Sequence, residues 1–360
     1  MESLARIWLH LIRQTRMVLS VLMGLAIGLD HAPAQTWQAS SSSPPTIAAR
    51  FPGYQPIYGP YPVGGPPPGS VVTLPDEMPI HLPPTGDQPR DACRQLSDFK
   101  DGFFQKASIT ATWLDRGDQD NVGISELETF FTIAIPAPTR KMPLMISPGF
   151  ALRALDGPGT AVTPDLPPRL YDVTTEFRWV TMIQNRWGIE LAVTPGIYAD
   201  DLDQWDEDSL RLKARAATLF KQSPTKSFVL GASYLDRNDI SMLPIFGVIC
   251  TPCSDWRYEL VFPRSKVARR FTYGPDWDDW IYVAAEFGGD EYSYQSAPGM
   301  RSRLTYRDVR VRIGVERKRD GGGGRRIEVG YVFGRELEFD NGLPDYEPDN
   351  TLMVRAGFAF

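Results

Sequence analysis

Apolar and polar residues alternate along most of the chain from residue 99 onward, in short runs that Gly, Asp, Asn and Pro separate. In residues 351–360, every second position from Leu352 to Phe360 is apolar, whereas Arg355 lies on the other face. Successive side chains of a β-strand point to opposite faces of the sheet. The pattern therefore predicts strands that each have one apolar face.

Fourteen runs predict strands, at residues 105–114, 123–135, 143–154, 169–183, 186–199, 209–220, 226–236, 242–249, 256–263, 268–273, 278–288, 302–317, 325–339 and 350–360. The runs at 242 and 268 are shorter than the ~9 to 11 residues of a membrane-spanning strand, so twelve strands are an alternative. Both numbers are even, which places the two ends of a barrel on one, periplasmic, side. The external loops are then predicted at residues 115–122, 155–168, 199–208, 289–301 and 340–349.

Three features favour a membrane barrel over a soluble sandwich. No helical stretch covers the predicted sheet, the apolar faces are flanked by aromatic residues such as Trp187 and Trp256, and Phe360 ends the apolar face of the last strand. We therefore predict an all-β fold: a transmembrane antiparallel up-and-down β-barrel of 12–14 strands, preceded by a disordered Pro-rich segment. A secreted, soluble all-β binding protein of the lectin kind is the alternative.

The first part of the chain lacks this alternation. Residues 1–34 have the three parts of a signal peptide, namely a basic start, an apolar stretch and small residues before a cleavage site at Ala34. An uncleaved anchor is the alternative, although the apolar stretch is shorter than the ~20 residues of a spanning helix. Residues 35–97 are rich in Pro and Gly and are predicted to be a disordered linker. Residues 98–360 are predicted to form the barrel domain.

The charge balance is mild, with 38 basic and 44 acidic residues and a net charge of −6, which argues against a nucleic-acid partner. The signal peptide and the barrel together predict export to the outer membrane, with outer-membrane lipid as the surrounding partner. Phe358 and Phe360 are interpreted as an assembly signal for the barrel-assembly machinery, which would act through the C-terminal strand. The Pro-rich arm is a candidate ligand for a partner in the cell envelope.

The histidines His10, His31 and His81 all precede the predicted barrel. Because His is the side chain that titrates near neutral pH, a Ser-His or Cys-His arrangement is excluded from the barrel, together with a His-ligated metal. We predict no enzymatic activity, no catalytic residue, no cofactor and no metal. The acidic residues 200–208 offer carboxylates that suit Ca²⁺, but their spacing is not diagnostic and favours a solvated external loop.

Charged side chains on the inward faces are candidate lumen residues. They are Arg211, Lys213, Arg215, Arg310, Arg312, Glu126, Glu128 and Glu190. Near-equal numbers of inward bases and acids favour a lumen filled with salt bridges. The alternatives are a weakly selective solute pathway, which free basic ladders would make anion-preferring, and a pair of acids for glycoside chemistry.

Cys250 and Cys253 form a CxxC pair in a chain that is predicted to be exported. Redox chemistry would need a helix that begins at the first Cys and lowers its thiol pKa. Residues 254–262 alternate like a strand instead. The pair is therefore predicted to be a possible disulfide that staples a turn, or an idle pair.

Six segments resemble a known family: DFKDGFFQ at 98–105, LETFFTIAIPAP at 127–138, PGIYAD at 195–200, WRYELVFP at 256–263, TYRD at 305–308 and GYVFGREL at 330–337. Together they make residues 98–360 similar to an uncharacterised family of outer-membrane β-barrels of planctomycete-type bacteria, the DUF6268 group. The resemblance implies a barrel in the cell envelope and brings no activity, cofactor or catalytic residue. The Cys pair departs from the family's pattern.

Overall fold

The structure, a computed structural model, describes residues 96, 100, 102–118, 121–139, 142–158, 166–183, 186–297, 300–340 and 344–360. The predicted signal peptide, residues 1–34, lies outside the described residues, as does the predicted linker, residues 35–97, apart from Leu96. In the part of the chain that is described, no helix is both long and apolar enough to cross a membrane.

The described strands are β1 Phe104–Leu114, β2 Gly123–Thr139, β3 Met142–Asp156, β4 Arg169–Ile183, β5 Trp187–Ala199, β6 Leu210–Ser223, β7 Lys226–Tyr234, β8 Met242–Cys253, β9 Trp256–Phe262, β10 Arg264–Tyr273, β11 Trp277–Ala297, β12 Met300–Arg319, β13 Gly324–Phe339 and β14 Thr351–Ala359. Each strand pairs with the next, and β14 pairs antiparallel with β1, so the sheet is a closed barrel. The two short runs are the strands β8 and β10, which makes the alternative of twelve strands wrong. The predicted up-and-down β-barrel is confirmed.

The strands that supply the lumen charges turn apolar residues outward and charges inward, whereas β6–β9 also bury apolar residues such as Leu219 and Ile245 on the inner side. On β14, Leu352 and Val354 are 58% and 42% exposed, whereas Arg355 between Val354 and Ala356 is 5% exposed. On β12, Ile313 is exposed and the neighbouring Arg312 is buried. A soluble sheet does the reverse, because it packs its apolar face against a core. The exposed apolar belt suits lipid and excludes the soluble, lectin-like alternative.

β11 and β12 are much longer than the hairpin before them. They have 21 and 20 residues, against 7 and 10 in β9 and β10. The ladder between β10 and β11 ends at the pair Arg264 and Glu286. Farther along, Ser293 of β11 pairs with Ala199 of β5, which lies on the opposite side of the ring. The far part of the β11–β12 hairpin therefore reaches across the lumen on its β11 side, while residues 304–307 of β12 stay paired with residues 336–339 of β13. We call residues 288–297 and 300–308 the inner hairpin.

Glycine makes the departure from the wall possible. Gly289 has a φ of +118°, and a Cβ at this position would lie 2.0 Å from the carbonyl oxygen of Tyr306. Only glycine tolerates both the positive φ and the close approach of the neighbouring strand. The start of the inner hairpin therefore depends on this residue.

The external loop predicted at residues 289–301 is wrong. Residues 289–297 continue β11, and residues 300 and 301 begin β12. Residues 290–294 are all buried, with at most 2% of each exposed. Burial of successive residues means that both faces of the strand are covered, so the inner hairpin is enclosed by the barrel rather than projecting from it.

Apolar packing holds one side of the inner hairpin. Tyr294, Leu304 and Tyr306 form a buried cluster with side chains from β1, β2, β4, β5, β13 and β14. Leu304 is completely buried within this cluster. Burial of apolar surface stabilises such a contact without directional partners. The side of the hairpin that meets β6 is held differently, by charged groups.

Candidate functional site: the lumen and its inner hairpin

The carboxylate of Glu291 on the inner hairpin has three partners, through one ion pair and two hydrogen bonds. Its Oε1 lies 2.6 Å from Nη2 of Arg211 on β6. Its Oε2 accepts a hydrogen bond from the backbone N–H of Asn238 at 2.6 Å and one from the hydroxyl of Thr305 at 3.3 Å. Because the carboxylate is fully buried, these partners replace the water it loses.

Asp290, the preceding residue, pairs with the next cation of the same strand. Its carboxylate accepts a hydrogen bond from the ammonium group of Lys213. The same ammonium lies 4.2 Å from the ring centroid of Tyr198 on β5, an arrangement that favours the cation electrostatically. Two neighbouring acids of the hairpin are therefore matched by two cations of β6.

Arg153 of β3 connects the hairpin to the opposite wall. Its guanidinium donates to the phenol of Tyr292 and pairs with Asp172 of β4 at 2.6 Å. It also lies 3.3 Å from a carboxylate oxygen of Glu126 and 3.5 Å from one of Glu128. Guanidinium groups suit such a position because five donors satisfy several acceptors at once.

A second group of ion pairs connects charges of the wall strands, either between neighbouring strands or, for Arg310 of β12 and Glu126 of β2, across the lumen. Arg310 lies 2.9 Å from Asp308 and 3.1 Å from Glu126. Arg312 lies 2.7 Å from Glu286 and 3.0 Å from Glu328. These charges are buried, and each has at least one partner of opposite sign, which is what keeps buried ions tolerable.

Arg215 is the third cation of the β6 ladder, and it differs from the other two. It lies 2.5 Å from Glu190 of β5 and 3.5 Å from Glu176 of β4, both on the wall. The structure thus places all eight lumen residues named from the sequence inside the barrel. Their role in ion preference stays a prediction.

The acidic loop at residues 200–208 contacts the arginines of the inner hairpin. Arg303 lies 2.6 Å from Asp208, and Arg301 lies 3.3 Å from Asp206. The backbone N–H of Asp200 also donates to the carbonyl of Ser293 at 3.1 Å. Among the described residues, no group of His, Cys, Asp and Glu side chains is placed to hold a metal ion. The loop contacts the hairpin across the mouth of the barrel.

Arg237, in the segment between β7 and β8, contacts the base of the inner hairpin. It donates two hydrogen bonds to Asp239, at 2.9 and 2.6 Å, and one to the carbonyl of Gly289 at 3.2 Å. Burial by itself lowers the pKa of this guanidinium, but the Asp239 carboxylate raises it above its ordinary value. Arg237 is therefore charged, and its charge is matched within its own loop.

Several residues of this site were not among those selected from the sequence. They are Arg153, Tyr198, Asn238, Asp290, Glu291 and Tyr292. Arg153 carried a signal, since it continues the inward series of Met145, Ser147 and Ala151 on β3. The residues of the inner hairpin showed no such signal in the sequence, because they lie in a segment where apolar and polar residues do not alternate.

The disulfide suggested for Cys250 and Cys253 is not formed. Both thiols are free, and both residues lie in the last part of β8 rather than in a turn. The pairing of β8 with β9 shifts register between Cys250 and Cys253, so the two cysteines lie on either side of a β-bulge. The short turn to β9 is held by strand pairing without a covalent staple.

Phe358 and Phe360, the predicted assembly signal, lie on the outer face of the barrel. They are 45% and 58% exposed, and their ring centroids are 4.6 Å apart. The backbone N–H of Phe360 donates to the carbonyl of Ala107 at 2.9 Å, where β14 meets β1. Their placement beside the closing seam is compatible with a role in assembly, which stays a prediction.

A closed antiparallel barrel with an apolar outer belt and a charged lumen defines a transmembrane β-barrel. No family model matches the chain, and no curated protein is similar to it. The resemblance to the DUF6268 group stays a prediction.

Solved structures similar to the chain include three proteins of the bacterial outer membrane. A bacterial polysaccharide outer membrane secretin has a TM-score of 0.35 and 9% identity, with coverage of 71% of this chain and 97% of the other. The COG4313 outer membrane channel from Pseudomonas putida F1 has a TM-score of 0.30 and 12% identity, covering 76% and 100%. Omp33 from Acinetobacter baumannii has a TM-score of 0.24 and 6% identity, covering 72% and 100%. Similarity at this level supports no conclusion about activity.

Proposed function

We propose that the protein is a bacterial outer-membrane pore without enzymatic activity, whose lumen the inner hairpin closes in the state described. The observation that carries the proposal is the path of the hairpin. It crosses from β11 and β12 to β5 and β6, yet it is joined to β5 by the single pair Ser293 and Ala199. The β12 half of the hairpin stays paired with β13 over residues 304–307, whereas its β11 half has no ladder with β10 beyond Glu286.

The contacts with β6 are of a kind that can be exchanged. Arg211 and Lys213 hold Glu291 and Asp290 through ion pairs, with no ladder between β6 and the inner hairpin. Ion pairs can be taken over by dissolved ions of the same charge, whereas an apolar core has no such competitor. The arrangement therefore supports a closure that is reversible.

An envelope-structural barrel with a permanently closed lumen is the second candidate. It is favoured by the buried ion pairs that connect wall strands, between neighbours as for Arg312 with Glu286, or across the lumen as for Arg310 of β12 with Glu126 of β2. Such pairs rigidify the wall and need no solute. The two candidates differ in whether removal of the inner hairpin leaves a conducting lumen.

The deciding experiment removes the inner hairpin and measures conductance. Phe287 and Val309 are paired in the ladder, so residues 288–308 can be replaced by the two-residue turn Asn-Gly, which closes a β-hairpin. We expect the purified variant to conduct steadily in planar bilayers, while the full chain conducts rarely. A shortened barrel that folds, as shown by altered migration on unheated gels, and does not conduct would favour the structural candidate.

Location is tested through the C-terminal strand. We propose that the chain is exported and that the barrel-assembly machinery reads Phe358 and Phe360. Deletion of Phe360 should leave the protein exported but poorly inserted and sensitive to protease, because the end of the closing strand would lack its aromatic anchor. An unchanged yield in the outer-membrane fraction would contradict the assembly signal.

A further inference from the structure

The wall of β6 that faces the inner hairpin has the composition of an anion site. Three donors point at the two hairpin carboxylates: the guanidinium of Arg211, the ammonium of Lys213 and the backbone N–H of Asn238. We call these three groups the β6 recess. Charged donors combined with a backbone N–H are a common means of binding carboxylates.

The recess contains no acid of its own. Among the described residues, Arg211 pairs with Glu291 alone, and Lys213 pairs with Asp290 alone. Arg215, two residues farther along the same strand, is instead neutralised by Glu190 of the wall. The ion pairs of the recess are therefore made with the inner hairpin, while the carboxylate of Asp172 on β4 also acts electrostatically on Lys213.

Withdrawal of the hairpin would leave both cations without their ion-pair partners. Both are largely buried, with side-chain exposures of 8% for Arg211 and 16% for Lys213. A buried charge that loses its partner is strongly destabilising, so the recess requires another anion whenever Asp290 and Glu291 leave. The two carboxylates of the hairpin thus occupy the place of a ligand.

The spacing indicates the kind of anion. Arg211 and Lys213 are two residues apart on one face of β6, so their backbones are separated by roughly 7 Å. They are satisfied by two carboxylates that belong to adjacent residues of one segment. A small molecule with two carboxylates presents the same pair of charges, whereas a monocarboxylate neutralises only one cation.

We propose that the β6 recess is a binding site for small dicarboxylate solutes, which displace Asp290 and Glu291 and so open the lumen. The inference rests on the proposed function of a pore and names the class of solute that the pore admits. Asp290 and Glu291 act as tethered competitors of the solute. Once they are displaced, Arg211 and Lys213 line the path and favour anions.

The first test uses succinate as the probe and acetate as its matched control. The full chain is reconstituted in planar bilayers, and each anion is added at the same ionic strength. We expect succinate to raise the open fraction about tenfold or more, because it replaces two charged contacts, and acetate to leave it nearly unchanged. Equal activation by acetate would overturn the proposal.

The second test separates the role of the hairpin acids Asp290 and Glu291 in closure from the role of Arg211 and Lys213 in anion preference. Asp290→Asn with Glu291→Gln should open the pore without succinate and give a reversal potential that favours anions. Addition of Arg211→Gln and Lys213→Gln to this variant should leave the pore open and remove the anion preference. Asp279→Asn is the control, since it removes a wall acid that pairs with the partly exposed Arg317 away from the hairpin, and this variant should remain closed without succinate.

Binding is also measured without conductance. Calorimetric titration of succinate into the detergent-solubilised full chain should detect binding, and Lys213→Gln alone should weaken it about tenfold or more, because it removes one charged partner. An affinity unchanged by Lys213→Gln, or an anion preference that persists after both cations are removed, would overturn the dicarboxylate site and leave the pore intact. If even the variant without the inner hairpin does not conduct, the proposed pore fails as well.

Discussion

The strands β11 and β12 each contribute to both the barrel wall and the inner hairpin, yet the two parts bury their residues differently. On the wall part of β12, exposed Ile313 and Val315 alternate with buried residues, whereas in the hairpin part Leu304, Thr305 and Tyr306 are buried in succession. The wall has lipid on one side and the lumen on the other, whereas the inner hairpin has protein on both sides. Whether alternate residues are exposed therefore depends on the surroundings of a strand. Loss of the alternation marks where β12 passes from the wall into the inner hairpin.

The electrostatic partners differ in the same way. Wall cations such as Arg215 and Arg312 pair with acids of neighbouring strands, whereas Arg211 and Lys213 pair with acids that reach them across the lumen. Pairs within the wall persist as long as the sheet does. Pairs with the hairpin persist only while the hairpin stays, so they are the ones that a solute can replace.

The largest effect should come from breaking a pair within the wall. Arg215→Gln strands the carboxylate of Glu190, which is completely buried, and we expect a loss of about 3–5 kcal/mol in the free energy of unfolding. Urea titration of the folded barrel in lipid vesicles measures it. Arg269→Gln, at an exposed position of β10, is the control and should cost much less. Equal losses would show that the buried pair is not needed for stability.

The next largest loss of stability should come from creating a cavity in the apolar cluster that holds the inner hairpin. Leu304→Ala should cost about 2–5 kcal/mol, because the site is enclosed by protein and cannot collapse fully. Leu230→Ala is the matched variant on the outer face, where the side chain is 68% exposed and lipid can fill the space. The same unfolding titration compares the two. A smaller loss for Leu304→Ala than for Leu230→Ala would contradict the enclosed position of the hairpin.

A charge on the outer face tests the lipid contact of the wall. Val329→Arg on β13 should cost about 2–4 kcal/mol if the residue meets lipid near the bilayer midplane. The valine is 51% exposed, so crowding by protein does not explain a loss. Asn350→Arg, in the segment before β14, provides the comparison. Similar stabilities of the two variants in vesicles would be evidence against a lipid-facing belt.

The smallest change in stability is expected for the exposed ion pair between Arg303 and Asp208 at the mouth of the barrel. Arg303 and Asp208 are 32% and 57% exposed, so Arg303→Gln should change the free energy of unfolding by about 0–1 kcal/mol. Added salt should reduce the difference further, because exposed charges are screened. A salt-independent loss of the size seen for Arg215→Gln would mean that the contact between the acidic loop and the hairpin is a main support of the closed state.

Much of the wall could be predicted from the sequence. The run at residues 169–183 coincides with β4, and the apolar face from Leu352 to Phe360 is the outer face of β14. A strand that faces lipid needs an apolar residue at every second position, and this alternation can be recognised in the sequence. The inward placement of Arg211, Arg310 and Glu126 follows from the same rule.

The sequence could not specify the partners of these charges. The two-residue alternation shows which face of the sheet a side chain occupies. It does not show its partner, because Arg211 and Glu291 belong to strands on different sides of the ring and no spacing along the chain relates them. Near-equal numbers of acids and bases indicated a salt-bridged lumen. Which pairs lie within the wall, and which depend on the hairpin, became visible only once the barrel was closed.

What the sequence by itself determined is the set of strands that face lipid, since each must carry its own apolar side. What only the tertiary structure decided is the inner hairpin. Residues 290–294, DEYSY, have no apolar alternation and therefore predicted a loop. They form a strand because the barrel encloses them and supplies partners for their polar side chains, such as Arg211 for Glu291 and Arg153 for Tyr292. A strand that meets no lipid needs no lipid-facing side, and its sequence does not show one.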